Sequence, residues 1–344
     1  MPDMGVGVAV WVITCAVILG LFVFDFFAHV RVPHEPTFRE SALWSAVYVG
    51  LAVLFGIFVW WHWGGEYGGE YFAGYVTEKA LSVDNLFVFT VIMGSFAVPR
   101  AYQQKLLLIG IVMALVMRAG FIAVGAAAIN TFSWVFYLFG IFLIYTALKL
   151  ARESGHEEEA EVEKESRLVR LVRRFVPTTD DYDGDKFLTR VGAKRAVTPL
   201  ALALVAIGFT DLLFALDSIP AIYGLTEEPY IVFTANAFAL MGLRQLFFLI
   251  GGLLDRLVYL SVGLSIILGF IGVKLILHAL HKNTLPFINN GNYVDVPEIS
   301  TGMSIGVIGV VLLITTVASL IRTRGRATAD SNGSAGADGA TARG

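Results

Sequence analysis

A single cysteine, Cys15, is all the thiol that this 344-residue chain carries. That excludes a disulfide framework, a thiolate metal cage and a Cys-x-x-Cys redox pair. Charge is scarce too: Asp, Glu, Lys and Arg make up 15% of the residues, against roughly 25% in a soluble domain. With 56% of residues hydrophobic, a water-soluble fold would expose an aggregating surface all round. No Walker A sequence occurs, which excludes nucleotide hydrolysis by that route. The net charge of −3 identifies no partner, because the charges are segregated along the chain, and no nucleic-acid partner is expected.

Long apolar runs fill the space that charge leaves. Nine have the length that crosses a bilayer, about 20 residues each: residues 4–28, 42–62, 70–95, 105–129, 132–150, 197–222, 230–251, 257–279 and 302–321. The first lacks a positive n-region and a small-residue cleavage site, so it reads as a retained span rather than a signal peptide. The predicted fold class is therefore all-α, a polytopic membrane helix bundle of about nine transmembrane helices, with the lipid bilayer as its main partner.

Basic residues alternate between connections. Arg31 and Arg39, Arg100 and Lys105, the long loop from Arg152 to Arg195, Arg256, and Arg322, Arg324 and Arg326 fall on one side, whereas the other side has only Lys282. The positive-inside rule then puts the amino terminus outside and the carboxyl terminus in the cytoplasm. Trp44, Trp60, Trp61 and Trp63 stand at span ends, where aromatic belts form.

Four soluble pieces complete the layout. Residues 153–165 are a glutamate-rich solvated run, and Lys164 to Val176 reads as a basic amphipathic helix for the anionic leaflet. Asp180-Asp-Tyr-Asp-Gly-Asp185 looks calcium-like but lacks the EF-hand glycine and distal glutamate offsets, and reads as a surface turn. Residues 323–344 read as a disordered cytoplasmic tail.

Two spans carry matching acids. Glu78 and Asp84 lie six positions apart in the third, with Asn85 following; Asp211 and Asp217 repeat this in the sixth, with Ser218 following. The next span of each set has one arginine, Arg118 or Arg244, and the one after has a lysine, Lys149 or Lys274. Spans three to five and six to eight thus form two copies of a three-helix unit. An odd number of spans per copy inverts the second, the architecture of many secondary transporters. The expected organisation is two leading helices in 1–65, a first repeat in 66–150, a charged cytoplasmic loop in 151–196, and the inverted repeat in 197–280. An outer loop with the last helix in 281–322 and the tail follow.

Charges inside spans require a reason. Each ionised side chain at mid-membrane costs roughly 2.5–3.5 kcal/mol, so the four acids must be protonated, paired, hydrated or bound to a cation. Two readings stay open. In one, Arg118, Arg244 and Lys79 pair with the acids as a network that fixes helix registry. In the other, the acids hold a transported cation: Asp84 and Asp217 as ligands, Asn85 and Ser218 as neutral oxygens, and Glu78 and Asp211 as proton or second-site carriers. Pro220, which cannot donate to the carbonyl of Leu216, would disrupt the helix and free an oxygen beside Asp217. Such a set is rich in oxygen and poor in imidazole and sulfur, and suits Mg²⁺, Ca²⁺ or Mn²⁺. Asp25, near His29 and Arg31, reads as an interfacial pair. His278 and His281 read as a solvated helix end.

The stretches Gly74-Tyr-Val-Thr-Glu-Lys-Ala-Leu-Ser-Val-Asp-Asn-Leu-Phe-Val-Phe89 and Phe209-Thr-Asp-Leu-Leu-Phe-Ala-Leu-Asp-Ser-Ile-Pro-Ala221 closely resemble the two signatures of the TerC family. Asp181-Tyr-Asp-Gly-Asp-Lys-Phe187 and Ala235-Asn-Ala-Phe-Ala-Leu-Met-Gly-Leu-Arg-Gln-Leu-Phe247 are similar to it as well. The resemblance spans about residues 40 to 320. It implies a bacterial inner-membrane protein, tellurium resistance, kinship with LysE-type exporters and, for several members, manganese export. It also implies that Glu78, Asp84, Asn85, Asp211, Asp217 and Ser218 handle the ion. One departure stands out: many members have a glutamate just before Phe-Thr-Asp, where this chain has Gly208.

The leading expectation is a secondary transporter exporting Mn²⁺ or a similar hard divalent ion, not an enzyme, with no permanently bound cofactor. Oxyanion handling through Arg118 and Arg244, and a scaffold for metal loading or protein assembly, are the alternatives. A homo-oligomer or a metal-loading protein are the partners considered.

Overall fold

The computed structural model describes residues 4–31, 34–153, 177–179, 181–191, 194–250, 259–283, 285–286 and 288–338. Its helices follow in order: α1 Val8–Asp25, closing in a π turn Phe26–Val30; α2 Phe38–Trp63; α3 Gly65–Ser95; α4 Arg100–Thr131; and α5 Val135–Glu153. A hairpin of β1 Leu188–Val191 and β2 Lys194–Val197 leads into α6 Pro199–Tyr223, α7 Pro229–Leu240, α8 Leu243–Ile250, α9 Leu260–His281 and α10 Thr301–Asp338. The basic amphipathic helix expected at Lys164 to Val176, nearly all of the glutamate run, and Arg256 lie outside the described residues.

Local chemistry sets the helix starts. Thr37 caps α2 by accepting from the Glu40 amide at 3.3 Å, and Thr198 caps α6 from Ala201 at 3.4 Å, with Pro199 at the first helical position. The tail departs from expectation. α10 continues as helix to Asp338, because extending a helix already nucleated inside a bilayer costs little per residue.

Eight segments among the described residues are long and apolar enough to cross a membrane. The ninth expected span is α3, whose 31 residues suffice in length but carry Glu66, Glu70, Glu78, Lys79 and Asp84. It avoids the lipid penalty by lying inside the bundle. Still more enclosed is α7, where every residue from Tyr230 to Leu240 is buried. Exposed apolar side chains such as Val8, Leu54, Trp61, Ile141 and Leu313 line the outside, on α1, α2, α5 and α10. That surface suits lipid tails.

Packing is reciprocal between the two copies. α3 lies chiefly against α7, and α6 chiefly against α4, so the first helix of each unit meets the middle helix of the other. The third helices, α5 and α9, meet each other over the largest contact in the molecule. Glycines permit it: a Cβ on Gly140 would stand 2.8 Å from the Gly272 carbonyl oxygen, and one on Gly272 2.9 Å from that of Gly140. Small residues let backbones approach where no hydrophobic drive exists between lipid-bathed helices. The expected inverted repeat calls for this exchange of neighbours.

The acidic turn before the hairpin works as a clamp. Tyr182 donates its hydroxyl to the Phe96 carbonyl at 2.8 Å, and Lys105 reaches the Asp185 carboxylate at 2.8 Å and its carbonyl at 2.9 Å. Asp183 accepts from Thr189 at 2.8 Å and from Lys186 at 3.1 Å. Gly184 takes a φ of +59°, which glycine adopts without strain. Two of the segment's four aspartates, Asp183 and Asp185, are thus engaged by lysines, and Asp180 lies outside the described residues. The hydrogen bonds from Thr189 and Lys186 hold Asp183 below the usual carboxylate range, and that from Lys105 does the same for Asp185.

Candidate functional site

The buried centre is an arginine locked between three helices. Arg118 on α4 is 0% exposed and donates from Nη2 and Nε to the two oxygens of Asp211 on α6, at 3.0 and 3.2 Å. Its Nη1 donates to Glu78 on α3 and, at 3.2 Å, to the Ser218 hydroxyl. The fork of a guanidinium suits this, because it satisfies two carboxylates with fixed geometry. Glu78 and Asp211 are six positions before Asp84 and Asp217, a rotation of about 240° on a regular helix. The lock therefore cannot include the second acids.

The second acids make no hydrogen bond to this arginine, although the Asp217 charge lies within reach of Arg118 and Glu78. Asp84 is half-buried and accepts from the Ser261 hydroxyl at 3.3 Å. Asp217 is half-buried too, and its carboxylate has no side-chain hydrogen-bond partner among the described residues. Asn85 is buried on α3. Three polar side chains at the interface of α3 with α7 and α6 keep atoms without a protein partner: Thr77 Oγ1, Glu78 Oε2, and both amide atoms of Asn236. Among the described residues no group of three or more His, Cys, Asp or Glu side chains comes together as a metal cage.

Lys79 and Arg244 do not neutralise the acids as the sequence suggested. Lys79 donates to the Ala239 carbonyl at 2.9 Å and, more weakly, to that of Met241 at 3.4 Å. Both carbonyls end α7, where the expected single seventh span breaks at Met241 and Gly242 before resuming as α8. A cation at a helix carboxyl end meets the negative pole of the helix and satisfies oxygens that the broken ladder releases. Pro220, by contrast, does not interrupt α6, which continues to Tyr223. The missing amide of Pro220 still leaves the Leu216 carbonyl without a ladder donor.

Arg244 belongs to a second buried cluster that the sequence did not disclose. It donates to Asp25 Oδ1 at 2.8 Å and to the Gln104 side chain. The same Asp25 oxygen accepts from the Tyr48 hydroxyl at 2.8 Å and from Gln245 at 3.0 Å, with His29 at 3.2 Å. Asp25 is thus buried, and it adds Arg244 to the pairing expected with His29. Its position at the mouth of the π turn, four residues before His29, was the available signal. Glu70 was also missed: it is buried on α3 and accepts from Thr226 at 2.6 Å. His278 and His281 pair with different acids, Glu227 at 2.9 Å and Glu298 at 3.4 Å. Hydrogen bonds from His278 and then Lys282 pull Glu227 down to about 2.

Comparison with known proteins now settles kinship. The integral membrane protein TerC family matches residues 63–327. The chain belongs to the TerC family. An uncharacterized membrane protein of Mycobacterium tuberculosis is 56% identical over 325 residues, covering 94% of this chain and 82% of that protein. One of Myxococcus xanthus is 40% identical over 322 residues, 94% of this chain and 95% of its own. The Escherichia coli protein named "Putative membrane-bound redox modulator Alx" is 36% identical over 293 residues, 83% of this chain and 85% of its own. No solved structure matches. As a TerC member the chain is a multi-pass integral membrane protein, and both its acid-bearing helices lie within the matched region. At Gly208 an added Cβ would collide with the Met113 methyl, so Met113 occupies the room a longer side chain would take.

Proposed function

We propose that this protein is a secondary transporter in the bacterial inner membrane that exports a hard divalent cation, Mn²⁺ first, rather than an enzyme. The observation that carries the reading is the division of the intramembrane acids. Glu78, Asp211 and Asp25 are each bound by an arginine, whereas Asp84 and Asp217, equivalent in the two copies, are not. Taken by themselves, the four repeat-related acids Glu78, Asp84, Asp211 and Asp217 stand against Arg118 and Lys79, a formal excess of two negative charges that one divalent ion balances. Small divalent ions bind through one or two carboxylates and keep part of their water, so no all-protein cage is needed. Asn85, Ser218 and the unpartnered oxygens of Thr77 and Asn236 supply neutral donors nearby. Glu78 and Asp211 act in this account through Arg118, holding α3, α4 and α6 around the path.

Reciprocal packing of the two units supports alternating access by rocking one against the other. The positive-inside rule supports an outer amino terminus and a cytoplasmic carboxyl terminus. Oxyanion binding loses its cations, since Arg118 and Arg244 are both spent on carboxylates. The scaffold reading rests on the charged loop, which lies outside the described residues for the most part.

Cellular manganese, measured in cells making the wild-type protein, Asp84→Asn or Asp217→Asn, tests the proposal. The wild type should lower it and each variant should restore it. Unchanged manganese with the wild type overturns the choice of ion. Two variants that export normally overturn the site.

A further inference from the structure

The hairpin Leu188–Val197 presents a face that the transport account does not use. Two-stranded hairpins are marginal by themselves, yet this one is pinned: by Tyr182 to the end of α3, by Lys105 on α4 to Asp185, and by its own run into the Thr198 cap of α6. Such anchoring places it a few residues from the membrane ends of α3, α4 and α6. Its register sets Arg190 directly opposite Arg195. Like charges in that position destabilise a ladder, and neither arginine has a hydrogen-bond or ion-pair partner among the described residues.

The two arginines border a hollow of about 420 Å³ whose other walls are Lys186, Leu188, Thr189 and Asp183. Asp183 is the one carboxylate there among the described residues, and it is engaged by Lys186 and Thr189. Three cations against one carboxylate leave an excess of two positive charges in the hollow. Leu188 and Arg190 alternate along β1 and so share a face, and Lys186 lies just before the strand. Leu188 on that face is 56% exposed.

We propose that this hollow binds the phosphate of an anionic phospholipid headgroup from the leaflet that the hairpin meets. A phosphodiester bridges the facing guanidinium groups and removes their repulsion, which is the bidentate chemistry arginine favours. Exposed Leu188 beside the cations, and the closeness of three helix ends, select a lipid over a soluble phosphate. The bound lipid ties the hairpin, and through it the ends of α3, α4 and α6, to the membrane surface.

Native mass spectrometry of the full-length protein in detergent tests this, with phosphatidylglycerol, phosphatidylcholine and glycerol phosphate as probes. Wild-type protein should bind phosphatidylglycerol well above phosphatidylcholine. Arg190→Gln with Arg195→Gln should weaken the tightest phosphatidylglycerol step by about thirtyfold, at about fivefold per basic residue near a headgroup. Asp183→Asn should strengthen it, a gain that misfolding cannot imitate. Both variants keep exposed positions polar, and their elution from size exclusion checks the fold. Unchanged phosphatidylglycerol affinity in the double variant overturns the proposal. Displacement of the lipid by equimolar glycerol phosphate overturns the lipid assignment.

Discussion

Arg118 and Arg244 hold corresponding places in the two copies, in the middle helix of each, yet they spend their charge differently. Arg118 sits in an unbroken 32-residue helix and faces two carboxylates from the first helices of both copies. Arg244 follows a break, in an eight-residue helix, and faces one carboxylate from α1, outside the repeat altogether. The first arginine joins the copies to each other. The second joins the second copy to the leading helices. The expected repeat thus has one arginine at its centre and one at its periphery, and only the first lies beside the candidate ion path.

Removing Arg118 should be the most damaging single change. Arg118→Met strands Glu78 and Asp211 in a site of nearly zero exposure. Breaking a buried pair costs about 3–5 kcal/mol, and here two pairs go at once. Thermal unfolding in detergent should drop sharply. Adding Glu78→Gln and Asp211→Asn to the same chain should restore most of the loss, because no uncompensated charge remains. If the triple variant is no more stable than Arg118→Met, the lock is not electrostatic. Arg244→Gln should cost less, about 1–3 kcal/mol, since Asp25 keeps Tyr48 and Gln245 as donors. Adding Asp25→Asn should recover it. Equal losses at the two arginines would erase the distinction between centre and periphery.

Much of this contrast was legible in the sequence, and some of it could not be. Spans, repeat and family motifs follow from apolar length and spacing, which are local properties. That Glu78 and Asp211 would share a partner while Asp84 and Asp217 would not is foreshadowed by six-residue spacing on a 3.6-residue helix. Which arginine they share is a question of which helices touch, and sequence spacing carries no such information. Asp25 and Arg244 lie 219 residues apart. Their pairing depends on α2, α4 and α8 converging on the π turn of α1. Pro220 misled because the helix runs on past it to Tyr223 even though it donates nothing to the Leu216 carbonyl. Met241-Gly242 gave a weaker signal and made the real break.

That break offers the finest test of the comparison. Gly242 adopts a φ of +78°, and a Cβ there would stand 2.9 Å from the Tyr48 Cβ. Tyr48 is itself a donor to Asp25, so backbone strain at the break and the Arg244 cluster meet at one side chain. Gly242→Ala should cost about 1–2 kcal/mol for the left-handed backbone. Its sharper consequence is positional. Straightening the break would draw the Ala239 and Met241 carbonyls back into a helical ladder and release Lys79, the cation adjoining Glu78 in sequence. Exposure of Lys79 to an amine-reactive label should then rise in Gly242→Ala but not in Arg244→Gln, which leaves the break in place. Equal labelling in both would mean that Lys79 follows the peripheral cluster and not the broken helix.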